Sequence, residues 1–127
     1  MPEGAHDIIP LAPDKFQNPF TTAKGEARAT VALSALKTLW FNTGSLCNIT
    51  CANCYMNSSP TNDDLAYLSR DHARMYLDEI ATERLAVQEI GFTGGEPFMN
   101  RDLLGMLDDA MDRGSTALVL TNAMKPL

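Results

Sequence analysis

The sequence has few of the residues and segments on which several large classes of protein depend. It has only three cysteines, too few for a disulfide-rich secreted domain, and only two histidines, which limits the ligands available to zinc. Its ten lysines and arginines are scattered and its net charge is −6, so nucleic acid and anionic membrane surfaces are disfavoured as partners. No apolar run approaches the length that spans a bilayer.

The first ten residues lack the charged and then apolar layout of a signal peptide, which predicts a cytoplasmic, reducing location. There, an odd number of clustered cysteines indicates metal binding or catalysis rather than disulfide bonds. The length of 127 residues, with 45% hydrophobic and 20% charged residues, is typical of one soluble domain. Because four of the seven prolines lie within the first 19 residues, we expect residues 1–37 to form an arm or cover segment and residues 38–127 to form the folded domain.

Residues 38–127 show three short apolar strand patterns that alternate with two amphipathic helix patterns. Ser69 and Asn100 are expected to cap the helices at their amino ends, and Gly114 to end the second helix. The strands are predicted at residues 38–42, 89–93 and 117–121, and the helices at residues 70–84 and 101–113. This order predicts an α/β fold with a parallel βαβαβ sheet and right-handed crossovers.

The charged residues of the two helices are interpreted as facing solvent. Asp108 and Asp109 with Asp112 resemble a paired-carboxylate site, but on a helix with an opposite apolar face they are more often a solvated surface. Arg70 and Arg74 lie one turn apart and are expected to be exposed. No Ser/His/Asp arrangement or phosphate-binding P-loop is present, so the candidate chemistry lies elsewhere.

The most unusual residues of the chain follow the predicted strands at their carboxyl ends. In parallel α/β folds the loops at this edge build the active site. The three motifs are Cys47-x-x-x-Cys51-x-x-Cys54 after strand one, Gly94-Gly95-Glu96-Pro97 after strand two and Thr121-Asn122 at the end of strand three. We call them the cysteine loop (residues 43–56), the glycine turn (residues 94–97) and the third-strand ending (residues 121–122). Their shared edge predicts one functional site.

Three thiolates in one short loop can hold an iron–sulfur cluster at three of its corners. A four-iron cluster usually takes four cysteines, so three would leave one iron open to another ligand. One alternative is a structural zinc site, which normally needs four ligands and would have to recruit His6 or His72. A second alternative, three buried free thiols, is disfavoured because Asn48, Thr50 and Asn53 interrupt the motif.

The two glycines of the glycine turn directly follow a strand. At such a position, glycine lets the backbone approach a ligand closely and leaves peptide groups free to bind it. Glu96 adds a carboxylate suited to an ammonium group, and Pro97 stiffens the chain beyond it. The alternative is an ordinary tight turn between a strand and a helix.

The cysteine loop followed by the glycine turn resembles the amino-terminal half of a radical S-adenosylmethionine (radical SAM) core domain. The similarity covers about residues 38–125 and is greatest to the branch that includes molybdenum-cofactor synthases and peptide-modifying enzymes. The resemblance implies an oxidoreductase in which a 4Fe–4S cluster reductively cleaves S-adenosylmethionine, and a 5′-deoxyadenosyl radical then abstracts hydrogen from a small-molecule or peptide substrate. It also implies an electron donor such as flavodoxin or ferredoxin. It assigns cluster ligation to Cys47, Cys51 and Cys54, and cofactor contacts to Gly94, Gly95, Glu96, Thr121 and Asn122.

The chain departs from the family pattern at several positions. The family often has an aromatic residue just before the third cysteine, where this chain has Asn53, so Tyr55 is the candidate for an adenine contact in its place. Gly91 and Trp40 stand where molybdenum-cofactor synthases have arginines. A GTP substrate is therefore disfavoured.

The family's core is a partial (β/α)6 TIM-like barrel, and this chain contains two βα units and a third strand, the first part of such a barrel. We therefore expect the chain to be a fragment of a longer protein, or to need a partner chain. A three-stranded parallel sheet also leaves two unpaired edges through which the chain could self-associate. The open alternatives to an enzyme are a non-catalytic iron–sulfur cluster-binding or electron-transfer module and, less favoured, a structural zinc domain.

Overall fold

The computed structural model describes residue 13 and residues 15–124, and the chain divides into two compact units, Met1–Leu33 and Ser34–Leu127. In the first unit, Thr21 and Ala27 form an antiparallel bridge around a turn at Gly25, whose φ of 78° lies in the left-handed region. The Arg28 side chain donates a hydrogen bond of 2.9 Å to the carbonyl of Asn18. The predicted arm therefore includes a tight turn, while its residues 1–12 lie outside the described part of the chain.

The second unit is built on a three-stranded parallel sheet whose strands lie side by side in chain order. Its elements in chain order are β1 (Thr38–Asn42), α1 (Arg70–Thr82), β2 (Glu89–Thr93), a 3-10 turn (Pro97–Met99), α2 (Leu103–Asp112) and β3 (Thr116–Val119). The predicted parallel βαβαβ arrangement is confirmed. No helix in the described part of the chain is long and apolar enough to cross a membrane.

One face of the sheet packs against the helices and forms the core. Phe41 and Phe92 are partners in the β1–β2 register, and their ring centroids lie 5.7 Å apart. Because alternate strand residues share a face, Ile90 lies beside them on the same side of the sheet. The buried core consists of Phe41, Ala73, Leu77, Ile90, Phe92, Leu103, Met106 and Ala110. Because the three strands are parallel neighbours, their carboxyl ends lie at one edge of the sheet.

The opposite face of the sheet carries a tryptophan that lies against a glycine. Trp40 is the register partner of Gly91, which in turn pairs with Leu118 on β3. A Cβ atom on Gly91 would overlap the indole, including an approach of 2.6 Å to Trp40 Cζ3. The two departures from the molybdenum-cofactor synthase pattern therefore depend on one another, since the indole occupies the space that any side chain at residue 91 would need.

Helix α1 has the predicted amino-terminal cap. The Ser69 hydroxyl accepts a hydrogen bond of 3.2 Å from the backbone N–H of His72. The helix ends at Thr82, two residues before the predicted end, and Arg84 has a left-handed φ of 52°. That backbone conformation cannot continue a right-handed helix, so residues 83–84 lie outside it.

Helix α2 starts at Leu103, and the predicted cap at Asn100 is wrong. The Asn100 side-chain nitrogen donates to the carbonyls of Thr43 at 2.9 Å and Leu68 at 2.8 Å. Its side-chain oxygen accepts from the N–H of Asp102 at 2.8 Å. Asn100 is therefore held by segments that are distant in sequence, and the 3-10 turn at Pro97–Met99 comes before the α-helix.

Strand β3 also ends earlier than predicted, at Val119 rather than residue 121. The N–H of Leu120 still donates to the carbonyl of Phe92 at 3.0 Å. After Leu120 the chain leaves the sheet because Thr121 and Asn122 bond to Glu96 instead. The third-strand ending is thus a turn over the glycine turn and not a continuation of the strand.

The interpretation of Asp109 as a solvated carboxylate is wrong. Asp109 is buried, and its carboxylate accepts hydrogen bonds from Arg70 Nε at 2.7 Å and Arg74 Nε at 2.8 Å. These two guanidinium groups hold the pKa of the Asp109 carboxyl well below its usual range. Arg70 and Arg74 are accordingly not free surface charges, because both join α1 to α2 through this carboxylate.

Candidate cofactor site at the strand ends

The cysteine loop is closed by polar residues that follow it in the chain. Leu46 forms an isolated parallel bridge with Ser59, and the N–H of Cys47 donates to the carbonyl of Ser59 at 3.1 Å. The buried hydroxyl of Ser45 donates to the carbonyl of Asn62 at 3.0 Å. These bonds fold the loop back on itself, so the three cysteines occupy a short excursion beyond β1.

The three thiols have different surroundings. Cys47 is buried, Cys54 is partly buried and Cys51 is exposed, and none of them forms a disulfide. The backbone N–H of Ser58 donates to Cys54 Sγ at 3.4 Å. Backbone N–H groups of Ser58 and Met56 lower the pKa of the Cys54 thiol, which favours the thiolate that binds metal.

The buried Cys47 thiol contacts a residue of the third-strand ending. Asn122 Nδ2 donates to Cys47 Sγ at 3.7 Å, and the same nitrogen donates to Asn48 Oδ1 at 2.9 Å. Asn48 Oδ1 also lies 3.9 Å from Cys47 Sγ and accepts its hydrogen bond. The first cysteine of the motif is therefore fixed by the third-strand ending, through a residue that lies 75 positions later in the chain.

The glycine turn packs directly on the start of the cysteine loop. The N–H of Gly95 donates to the carbonyl of Gly44 at 2.9 Å, and the N–H of Glu96 donates to that of Leu46 at 2.9 Å. Gly94 has a φ of 146°, and a Cβ there would lie 2.7 Å from the carbonyl oxygen of Gly44. Both glycines are thus required by the protein's own backbone, whatever ligand approaches their other side.

Glu96 joins the glycine turn to the third-strand ending. Its side chain is only 2% exposed, so its carboxylate must be satisfied within the protein. Oε1 accepts from the Thr121 hydroxyl at 2.7 Å and from the N–H of Phe98 at 3.1 Å, and Oε2 accepts from the N–H of Asn122 at 2.8 Å. Glycine turn, cysteine loop and third-strand ending therefore form one hydrogen-bonded assembly, as their shared edge predicts.

Asn53 and Tyr55, the two candidates for an adenine contact, lie on the surface of the cysteine loop. Asn53 is exposed, and the Tyr55 side chain is 82% exposed. The phenol is therefore accessible to a planar ligand, while neither residue is held in the hydrogen-bonded assembly of the strand ends. Their role in cofactor binding stays a prediction.

The three cysteines have the residue type and order that a metal cluster uses, but the structure does not arrange them as a metal-binding group. Among the described residues, no group of three or more His, Cys, Asp or Glu side chains is arranged to hold a metal ion. Three free thiols within eight residues, one of them with a lowered pKa, nonetheless form the donor set that iron–sulfur clusters use. His72, the candidate fourth zinc ligand within the described residues, belongs to no such group either.

Sequence reasoning missed the residues that hold the loop in place. Asn48 and Ser58 contact the thiols, and Ser45 and Asn62 close the loop behind them. The only signal for them was a polar stretch after an apolar strand, which is also typical of an ordinary surface loop.

Comparison with known proteins matches residues 41–126 to a model described as the radical SAM superfamily. YydG of Bacillus subtilis (strain 168), whose name assigns it to peptide biosynthesis, is 35% identical over 68 residues, 54% of this chain and 20% of that protein. An S-adenosylmethionine-dependent nucleotide dehydratase of Selenomonas ruminantium is 32% identical over 76 residues, 60% of this chain and 26% of that protein. An Fe-coproporphyrin III synthase of Methanosarcina barkeri (strain Fusaro / DSM 804) is 32% identical over 79 residues, 60% of this chain and 18% of that protein. The matches thus span 26% or less of these relatives.

Proposed function

Because the chain belongs to the radical SAM superfamily, we propose that Cys47, Cys51 and Cys54 bind a 4Fe–4S cluster and that the strand ends around them bind S-adenosylmethionine. Held by these three cysteines, a reduced cluster would supply the electron for reductive cleavage of S-adenosylmethionine and so for radical abstraction of hydrogen from a substrate. The observation that carries the proposal is the direct bonding of the cysteine loop to the glycine turn and to the third-strand ending.

The three cysteines make different contributions to cluster binding. Cys54 offers a thiol whose pKa is already lowered by backbone N–H groups. Cys47 is buried and held by Asn122, so it fixes one corner of the site. Cys51 is exposed and supplies the ligand that completes the site when the loop closes around the cluster.

The glycine turn and the third-strand ending hold the methionine end of the cofactor in this proposal. Glu96 acts by holding the glycine turn in place, because its carboxylate accepts three hydrogen bonds inside the protein and its N–H donates to the carbonyl of Leu46. Gly94 and Gly95 are proposed to contact the cofactor through peptide groups other than the Gly95 N–H, which already donates to Gly44. Tyr55 is exposed beside the last cysteine and is the proposed adenine contact.

We propose that substrate binds mainly to barrel strands other than the three that the described residues form. We infer a small-molecule or peptide substrate and a reducing partner such as flavodoxin or ferredoxin, with the chain as part of a longer protein or of a barrel completed by a partner. The relative named for peptide biosynthesis supports the peptide class. Trp40 and Gly91 weigh against GTP because they replace two arginines with an apolar surface. The rival proposal, a non-catalytic cluster-binding or electron-transfer module, rests on the three-stranded sheet.

Anaerobic reconstitution with iron and sulfide, followed by EPR of the reduced protein with and without S-adenosylmethionine, tests the proposal. We expect a four-iron signal that changes when S-adenosylmethionine is added. Cys51→Ala should abolish that signal without loss of fold, since residue 51 is exposed. Thr50→Ala changes a neighbouring exposed residue without a thiol and should keep it. A signal indifferent to S-adenosylmethionine favours the electron-transfer module, and bound zinc without iron overturns the proposal.

A further inference from the structure

We propose that Asn122 is a positioning residue that donates an N–H···S hydrogen bond to Cys47 and thereby raises the reduction potential of the cluster that Cys47 holds. The assignment rests on the proposed function, because it concerns a cluster bound by the three cysteines. It gives Asn122 a role toward a cluster ligand, in addition to any contact with S-adenosylmethionine.

The Asn122 side chain is held in place on both of its polar atoms. Its Nδ2 donates to Cys47 Sγ at 3.7 Å and to Asn48 Oδ1 at 2.9 Å, which uses both hydrogens of the amide. Its Oδ1 accepts from the N–H of Met124 at 3.0 Å, which distinguishes the oxygen from the nitrogen. The amide therefore presents a donor to the sulfur and not an acceptor.

The backbone of Asn122 is fixed independently of its side chain. Its N–H donates to Glu96 Oε2 at 2.8 Å, and the same buried carboxylate accepts from the Thr121 hydroxyl. A substitution at residue 122 therefore keeps the bond that ties the third-strand ending to the glycine turn. The side-chain contact with Cys47 can be removed without breaking the assembly of the strand ends.

A donor at this position acts on the charge of the cluster. Cys47 is buried, and a hydrogen bond in such surroundings is stronger than in water. Hydrogen bonds to the sulfurs are one of the determinants of iron–sulfur potentials. Because the reduced cluster carries more negative charge than the oxidised cluster, an N–H donor stabilises the reduced form more and raises the potential.

The test is an anaerobic redox titration, followed by EPR, of the reconstituted wild-type protein and of Asn122→Ala and Asn122→Asp. Asn122→Ala removes the donor, and Asn122→Asp keeps an oxygen for the N–H of Met124 but replaces the donor with a negatively charged acceptor. We expect a lower midpoint potential in Asn122→Ala and a still lower one in Asn122→Asp. Met124→Ala changes an exposed side chain two residues away and keeps the backbone N–H that donates to Asn122 Oδ1, so its potential should match the wild type.

The readouts separate failure of this assignment from failure of the proposed function. A wild-type protein that binds no cluster overturns both. Variants that bind a cluster with the wild-type potential overturn the role of Asn122 alone. Variants whose cluster content falls while the potential stays constant assign Asn122 a purely structural role, which also overturns it. Thermal unfolding followed by circular dichroism identifies any variant that fails to fold, and the other substitution then decides.

Discussion

Replacing Gly95 by alanine would test whether the glycine turn is required by the protein's own backbone. A Cβ at residue 95 would overlap the carbonyl oxygen of Leu46 and lie 2.5 Å from that of Ser45. Both neighbours are backbone atoms, so no side-chain rotation relieves the overlap. The start of the cysteine loop must then move away from β2.

The expected cost follows from the contacts that such a movement breaks. Two backbone hydrogen bonds, from Gly95 to Gly44 and from Glu96 to Leu46, would lengthen or be lost, at about 1 kcal/mol each. Overpacking in a close-packed region adds about 1–3 kcal/mol. The sum, about 3–5 kcal/mol, is a large fraction of the roughly 5–15 kcal/mol that stabilises a typical domain.

Urea unfolding of the cluster-free protein measures this cost directly, as a fall in the transition midpoint. Gly114→Ala is the matched control, because its Cβ would meet no atom within 4 Å. Its φ of 84° leaves only the cost of a left-handed alanine, about 1–2 kcal/mol, so the control should lose clearly less stability than Gly95→Ala. A Gly95→Ala midpoint equal to that of the wild type would refute the close packing of the glycine turn on residues 44–46.

Two further predictions concern contacts outside the candidate site. Asp109→Asn should lower the free energy of unfolding by about 1–3 kcal/mol at pH 7, a range limited by the partial exposure of both arginines. Because folding depresses the Asp109 pKa, the extra stability of the wild type over Asp109→Asn is fully present above the ordinary carboxyl pKa of about 4 and is lost progressively as the pH falls from there through the lower pKa of the folded state. Urea titrations should therefore give a smaller stability difference between the two proteins at pH 3 than at pH 7. An equal difference at both pH values would contradict the ion pair. Gly91→Ala should cost about 1–3 kcal/mol and alter the fluorescence of the sole tryptophan, Trp40, because the new methyl overlaps the indole. A double-mutant cycle with Trp40→Ala should show coupling, and additive costs would refute the clash.

The strands could be predicted from the sequence because each is a short apolar run followed by glycine or polar residues. β1 and β2 have the predicted bounds, and the amino-terminal cap of α1 at Ser69 was identified from its own neighbourhood. Their common edge also followed from chain order, since consecutive parallel strands end on the same side. These elements could be predicted because the residues that determine them lie within a few positions of one another in the chain.

The remaining features depend on residues far apart in the chain. Asn100 was predicted to cap a helix from its local sequence alone. Its side-chain bonds to Thr43 and Leu68 cannot be inferred from neighbouring sequence. Asp109 is buried only because two arginines of another helix reach it. The contact of Asn122 with Cys47 requires the β3 position to be known, so the candidate site could be located from motifs but its internal bonds could not.

The bond between Asn122 and Cys47 also imposes an order on biosynthesis. The two residues are 75 positions apart, so the cysteine motif leaves the ribosome well before its partner on the third-strand ending is made. Until residues 94–97 are made, the glycine turn is also absent, and Asn122 is absent for the whole interval, so nothing from these segments holds the start of the loop. If the proposed cluster binds here, its insertion into the loop held by Asn122 would have to follow translation of residue 122.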